Sequence, residues 1–274
     1  MMGPMPELPE VESVLRQLRP RLRGRRIVRV TATPQARFDR LDDAAGHRIG
    51  DLRRRGKYLL ATLEAPPDPR ELVLHLGMTG ALRLRGDDGW EPDAYVRATF
   101  ELDEGVLDFR DVRRFGRLSV VTEGDYRGIG TLETLGPEPL SSGFTPEAFH
   151  EALARSRQPI KVQLLGQRVV AGVGNIYADE ALWLSRIDPR ARRLGVERSH
   201  RLWASLRHVL AEAVEREGTT FRDYQMVNGQ SGRNAEYLSA YGQHGTPCRR
   251  CRTTLRRIVV GGRGSTYCPG CQRW

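Results

Sequence analysis

From Glu10 onward the apolar residues Val11, Val14, Leu15, Leu18 and Leu22 recur three and four positions apart, with arginines between them. That spacing gathers them on one face of a helix, which the pattern ends near Gly24. The period then shortens. Ile27–Val30, Tyr58–Leu63 and Leu72–Leu76 are short, partly β-branched runs, and Ala81–Arg85 and Tyr95–Phe100 alternate apolar with polar residues. Val106–Phe109 and Arg117–Val121 continue the series, with Gly and Asp turns between. Repeated short strands of this kind predict a β-sandwich or barrel.

Near Gly128–Ser142 the chain becomes rich in Gly, Pro and Ser, which marks a domain boundary. Beyond it the period is helical. Thr145-Pro146-Glu147 reads as an N-cap followed by proline at the first helical position. Leu202, Leu206, Val209, Leu210, Ala213 and Val214 form an apolar stripe that ends at Gly218. Asn228–Gly245, rich in Gly, Asn, Gln and Ser, reads as a mobile loop. No internal repeat is visible.

A length of 274 residues suits one large domain or two ordinary ones, and 39% hydrophobic residues supply a core. The net charge of +10 points to a polyanionic partner, nucleic acid first and an anionic membrane surface second. No apolar run reaches the roughly 18 residues of a membrane span. The charged first thirty residues do not read as a signal peptide. Of the 44 basic residues only Lys57 and Lys161 are lysine, which leaves 42 arginines. Arginine does not give up its proton, so these two lysines are candidates for work that arginine cannot do.

The first candidate chemistry lies in Met5-Pro6-Glu7-Leu8-Pro9-Glu10-Val11-Glu12. If Met5 is the true start and is removed, Pro6 carries a free secondary amine. α-Amino groups titrate at about 7.7–8.0, close to the pH where a nucleophile is needed. Such an amine can attack an electrophilic carbon and form a Schiff base, with the Glu7 carboxyl beside it to move protons. The same residues also read as a helix start, with Pro9 pre-set and Glu10 and Glu12 at the positive end.

The four cysteines fall in the last 27 residues as Cys248-x2-Cys251-x16-Cys268-x2-Cys271. Two such knuckles on a hairpin suit one structural zinc ion, two disulfides and an iron–sulfur site being the alternatives. Arg252, Arg256, Arg257 and Arg263 make the hairpin basic, as phosphate contact requires. Gly172-Val173-Gly174-Asn175 is a glycine turn entering a helix, where free N–H groups can meet an anion. Met78, between Gly77 and Gly80, and Phe115, beside Arg113 and Arg114, read either as an apolar wedge for a base stack or as core.

Taken in order, seven segments closely resemble the bacterial formamidopyrimidine-DNA glycosylase (MutM) family, from Met5 to Trp274. They are Pro6–Glu12, Gly56–Leu60, His75–Gly80, Arg113–Gly116, Gly136–Leu140, Gly172–Ala178 and the four-cysteine finger. The resemblance implies an α+β chain: a β-sandwich with flanking helices over residues 6–130, a linker over 131–145, a helix–two-turn–helix domain over 146–240 and a zinc finger over 241–274. It implies damaged double-stranded DNA as partner, lying in a cleft, and a zinc ion as cofactor. The implied location is the bacterial cytoplasm, on the nucleoid through DNA, and the implied state is a monomer. The implied reaction excises oxidised purines, 8-oxoguanine and formamidopyrimidines, after flipping the nucleotide, and then cleaves the strand by β,δ-elimination.

On that resemblance Pro6 attacks C1′, Glu7 protonates the opening sugar, and Lys57 is the acid/base of elimination. Met78, Arg113 and Phe115 fill the vacated stack, with Arg113 addressing the orphaned cytosine. Asn175 and Arg263 grip phosphates, Arg263 also assisting δ-elimination, and Lys161 lies near the DNA. Residues 228–245 close over the flipped base. The sequence also departs from the pattern. Met1–Pro4 precede the expected start and, if retained, leave Pro6 an unreactive amide. Tyr95 stands where relatives often have His, which weakens its phosphate contact, and Val162–Gly166 replaces a Pro- and Asp-bearing segment. The rival readings are endonuclease VIII, a non-catalytic binder of damaged DNA, and a generic zinc-finger module. Leu8 and the Met78/Arg113/Phe115 set favour the purine enzyme over the first.

Overall fold

Helix α1 (Leu8–Leu22) forms where the period places it, with Val11, Val14, Leu15, Leu18 and Leu22 buried. A glycine follows at position 24 with φ +82°, a left-handed backbone that only glycine adopts without cost. The computed structural model describes residues 5–64, 67–86, 89–219, 227 and 229–274. Met1–Pro4 and Asn228, on which two of the sequence expectations rest, lie outside the described residues.

The strands follow α1 as β1 (Ile27–Ala32), β2 (Phe38–Asp39), β3 (Arg48–Arg55), β4 (Tyr58–Glu64), β5 (Arg70–His75), β6 (Gly80–Leu84), β7 (Val96–Leu102), β8 (Val106–Asp111) and β9 (Arg117–Thr122). They form a four-stranded sheet, β1-β7-β8-β6, and a five-stranded sheet, β2-β9-β5-β4-β3. Side chains of both sheets and of α1 share one apolar core, in which Leu18, Leu59, Leu74, Leu82, Phe100 and Leu107 meet. Phe38 of one sheet sets its ring edge against Phe109 of the other, 6.0 Å between centroids. This is the expected sandwich.

The chain crosses from sheet to sheet at one end. Leu76–Thr79 carries β5 into β6, and Val112–Gly116 carries β8 into β9. His75 pairs with both Tyr58 and Arg117, and Gly80 pairs with Asp111, so the two crossovers lie side by side. Where they meet, Gly77 has no room for a methyl group, and the second crossover is seated just as tightly on the core. A Cβ on Gly77 would lie 2.6 Å from the Phe115 carbonyl carbon, and one on Gly116 would lie 2.4 Å from Phe109 Cζ.

The chain divides into two units, 1–133 with 217–233, and 134–216 with 234–274. The division is therefore not linear. Residues 217–233 return to the first unit because Thr219 N–H is held by Glu10 at 2.7 Å, Thr219 bridges Arg233, and Val227 enters the leucine core.

The second unit holds α2 (Pro146–Ala154), α3 (Ile160–Leu165), α4 (Asn175–Leu184), α5 (Val196–Glu215) and a hairpin, β10 (Arg256–Val260) with β11 (Arg263–Tyr267). Thr145 caps α2 by accepting the Ala148 N–H at 3.2 Å, as its sequence predicts. Phe144 packs between Phe149 and Trp203, tying the approach to α2 onto α5. Among the described residues no helix is long and apolar enough to cross a membrane.

Gly116→Ala tests the tight crossover. The added methyl forces the fully buried Phe109 ring to move, and overpacking of this kind costs about 1–3 kcal/mol. Urea unfolding should read a loss in that range, and parental stability would show that Gly116 sits more loosely on Phe109 than described.

Candidate functional site

Pro6 is buried and leads directly into the helix cap. Glu7 occupies the N-cap and Glu10 the third helical position, and each side chain takes the other's backbone N–H, a capping box. The Glu7 N–H donates to Glu10 Oε2 at 2.8 Å, and the Thr219 N–H donates to Glu10 Oε1 at 2.7 Å. Both glutamates are 1% exposed. One buried carboxylate thus fixes the backbone that carries Pro6 and Glu7, with a partner 209 residues away that no local pattern announces.

Lys57 lies near this helix end. Arg54 Nε meets Glu12 Oε2 of α1 at 2.8 Å, and its Nη1 donates to Gly56 O at 3.0 Å. Lys57 follows in the β3–β4 turn and is itself buried. Next in the chain, Tyr58 stacks on His75, 4.6 Å between ring centroids. Burial, aided by Lys57, Arg117 and Arg37, drives the His75 pKa down to about 3, so its ring is neutral at physiological pH. Nδ1 accepts the Gly77 N–H at 3.1 Å, which assigns the ring proton to Nε2. His75 is a donor that sequence reasoning left without a role.

The two adjoining crossovers carry Met78 on one side and Arg113 and Phe115 on the other. Phe115 is 39% exposed, and the Arg113 guanidinium sits 4.7 Å from its ring centroid. Val112 beside them is 41% exposed, and a lone valine carries no signal in the sequence. Arg114 takes φ +58°, an unusual backbone for a non-glycine residue, to turn the chain here. Tyr95 is also exposed, with the guanidiniums of Arg110 and Arg97 5.1 and 5.7 Å from its ring centroid.

In the second unit Asn175 opens α4 and donates through Nδ2 to Gly264 O at 3.0 Å. Gly264 follows Arg263, which is exposed just after the Gly261-Gly262 turn. Those glycines take φ +56° and +74°, as a two-residue hairpin turn requires. Asn175 and Arg263 are therefore neighbours at one helix N-terminus, a place suited to an anion.

Lys161 is placed differently from the expectation. It is fully buried, and its Nζ donates to Asp179 Oδ1 at 2.5 Å, Ser265 Oγ at 2.7 Å and Gly264 O at 3.1 Å. Asp179 Oδ2 accepts the Thr266 N–H at 2.9 Å. Burial pushes the Asp179 carboxyl up to about 6, against the pull of Lys161 and of the Thr266 N–H. The ammonium joins α3, α4 and β11 rather than facing a ligand. The described part of the glycine- and asparagine-rich segment, 229–245, is anchored at its middle. Glu180 accepts the N–H groups of Ser239, Ala240 and Tyr241 at 2.8–2.9 Å, and Leu238 and Ala240 are buried.

The four cysteine sulfurs lie within 4.8 Å of one another, with Cys251–Cys268 at 3.3 Å and Cys248–Cys271 at 3.8 Å. Zn–S arms of about 2.3 Å set tetrahedral edges of about 3.8 Å, so the set fits one zinc ion with no open position. Backbone N–H groups of Arg250 and Cys251 and the Trp183 indole donate to Cys248 Sγ, support that suits a thiolate.

Three family models match in order: the formamidopyrimidine-DNA glycosylase N-terminal domain over 5–118, its H2TH domain over 135–225, and a zinc finger found in FPG and IleRS over 245–273. The formamidopyrimidine-DNA glycosylase of Thermus thermophilus is 47% identical over 98% of each chain. That of Deinococcus radiodurans is 43% identical over 98% of this chain and 97% of its own. The crystal structure of the MutM (Fpg) protein from Thermus thermophilus superposes with a TM-score of 0.90 over 97% and 98% of the two chains. A complex of Lactococcus lactis Fpg with abasic-site DNA, 34% identical, superposes at 0.88 over 98% and 100%.

Zinc removal tests the hairpin. Chelation should unfold residues 248–271, because such sites keep little structure without metal. Hydrogen exchange should then speed up at Thr266 and Cys268 while the leucine core of the first unit stays protected, and affinity for lesion duplex should collapse. A metal-free chain that binds DNA normally, or iron in place of zinc, would refute this.

Proposed function

The chain belongs to the formamidopyrimidine-DNA glycosylase family, and we propose that it excises oxidised purines, 8-oxoguanine and formamidopyrimidines, through a Schiff base on Pro6. It is a bifunctional glycosylase and abasic-site lyase that acts on damaged DNA. The observation that carries the finer reading is the buried helix cap. Pro6 and Glu7 are held by Glu10 at the end of the sandwich where Lys57 and the two crossovers also lie.

The reaction requires the Pro6 nitrogen to be a free amine, hence removal of the residues before it. The lone pair attacks C1′, the glycosidic bond breaks, and the base leaves with its bonding electrons and takes up a proton. The nitrogen loses its own proton and forms C1′=N⁺ as the C1′–O4′ bond opens, with Glu7 delivering a proton to O4′. A base then removes a C2′ proton, and the 3′ phosphate departs in β-elimination. Lys57 moves that proton, work for which lysine is suited and arginine is not. A second elimination, which Arg263 assists, releases the 5′ phosphate, and water frees the proline.

Met78, Arg113 and Phe115 fill the stack that the flipped nucleotide leaves, and Arg113 reads the orphaned cytosine. Bidentate arginine readout is worth about 1–3 kcal/mol of base discrimination. Asn175, Arg263 and Tyr95 meet the phosphate backbone. Lys161 acts on DNA through the hairpin it anchors.

Excision from defined duplexes tests this reading. The parent should release 8-oxoguanine opposite cytosine and then nick the strand, in preference to oxidised pyrimidines. Lys57→Arg should keep DNA affinity within a few-fold and lose about 10²–10⁴-fold in lesion processing, the usual span for a general acid–base group. Near-parental turnover by Lys57→Arg would remove lysine from the mechanism, and a preference for oxidised pyrimidines would reassign the lesion class.

A further inference from the structure

Asp111 closes β8 at the crossover end, and its carboxylate is fully buried. Three donors converge on it from two turns. Thr79, next to Met78, donates its hydroxyl to Oδ1 at 2.5 Å. The Arg113 N–H reaches the same oxygen at 3.2 Å and Thr79 Oγ1 at 3.0 Å. The Gly116 N–H, just after Phe115, donates to Oδ2 at 2.7 Å. The backbone of Asp111 adds a third turn: its N–H donates to Tyr95 O at 2.9 Å, and its carbonyl accepts Arg97 Nε at 2.9 Å.

Buried carboxylates are costly unless their oxygens are met by donors, and the three donors to this carboxylate lie in the two turns that carry Met78, Arg113 and Phe115. The arrangement leaves little slack. A Cβ at Gly77 would strike the Phe115 backbone at 2.6 Å, so the turns are in direct contact as well as joined through the carboxylate. Removing one acceptor leaves a buried N–H or O–H unsatisfied and frees one turn to shift against the other.

We propose that Asp111 is a positioning residue for lesion extrusion and opposite-base choice. Its carboxylate sets Met78, Arg113 and Phe115 in their working arrangement before DNA arrives. It touches neither base nor sugar, and it acts by holding the two turns at one spacing. The proposal rests on the reading of those three side chains as stack-filling. A misplacement of about 1 Å at a reacting or recognising group can cost on the order of 10²-fold in rate, which sets the scale of the effect.

The experiment compares Asp111→Asn and Thr79→Val with the parent on four duplexes that differ only in the base opposite 8-oxoguanine, and on a duplex with a pre-formed abasic site. Asp111→Asn keeps the shape but offers one acceptor oxygen for two sets of donors. Thr79→Val removes a single arm and serves if the first variant is poorly folded. The expected result is a loss of about 10- to 100-fold in excision from duplex, a flattened ranking of the four opposite bases, and less than about threefold change in cleavage at the abasic site. In a double-mutant cycle, Asp111→Asn should cost little more on a background already carrying Arg113→Ala and Phe115→Ala. Equal losses on lesion and abasic duplexes, an unchanged ranking, or full additivity in the cycle would overturn the positioning role. If Arg113→Ala and Phe115→Ala themselves leave excision and ranking untouched, the wedge reading falls instead, and the two failures are told apart.

Discussion

Two backbone crossovers share one end of the sandwich, and they touch so closely that Gly77 of one has no room for a side chain against Phe115 and Gly116 of the other. The sheets require this. Strands β5 and β9 pair in one sheet, β6 and β8 pair in the other, and both connections leave from the same edge of the register. The loops between them are forced together and outward, and Phe115, Val112 and Arg113 are what they present. The β3–β4 turn with Lys57 sits at this end because Tyr58 pairs with His75. An exposed apolar group on a basic chain would be a liability elsewhere. Here it is the consequence of a topology that has to turn twice in one place.

The acids do a different job from the bases. In a chain of net charge +10 most arginines lie at the surface, while several carboxylates are buried and grip backbone N–H groups. Glu10 holds Glu7 and Thr219, Asp111 holds Arg113 and Gly116, Asp179 holds Thr266, and Glu180 holds three amides in a row. Glu10, Asp111 and Asp179 thereby fix the segments that carry Pro6, Arg113 and Cys268. Charge-assisted bonds to backbone amides are strong and directional, so a few interior acids set the geometry that many exterior arginines use. Lys161 belongs to this interior set, as the cation that Asp179 needs beside the hairpin.

Helical and strand periods marked α1, α5 and most strands to within a few residues, because each buries a regular face. Strand β3 was hidden. It is an edge strand with Arg48, Arg53, Arg54 and Arg55, only Ile49 and Leu52 are buried, and a bulge between them breaks the alternation. Helix α3, six residues after Pro159, is too short to show a period. The zinc ligands were legible from spacing alone. The buried carboxylates were not, since Glu10 reads as an ordinary first-turn acid and Asp111 as a turn residue. Their partners are set by tertiary contact, and lysine scarcity marked Lys161 as special without saying that its partner would be an aspartate.

The proposed chemistry stands on the Pro6 nitrogen being the nucleophile at the buried end of α1. Borohydride reduction in the presence of abasic-site DNA, followed by mass mapping of the trapped complex, tests that most directly. The predicted result is a covalent adduct on an N-terminal Pro6 in a chain that has lost the five residues before it. A cross-link mapped to Lys57 or any other residue, or a fully active chain that still carries Met1, would contradict it.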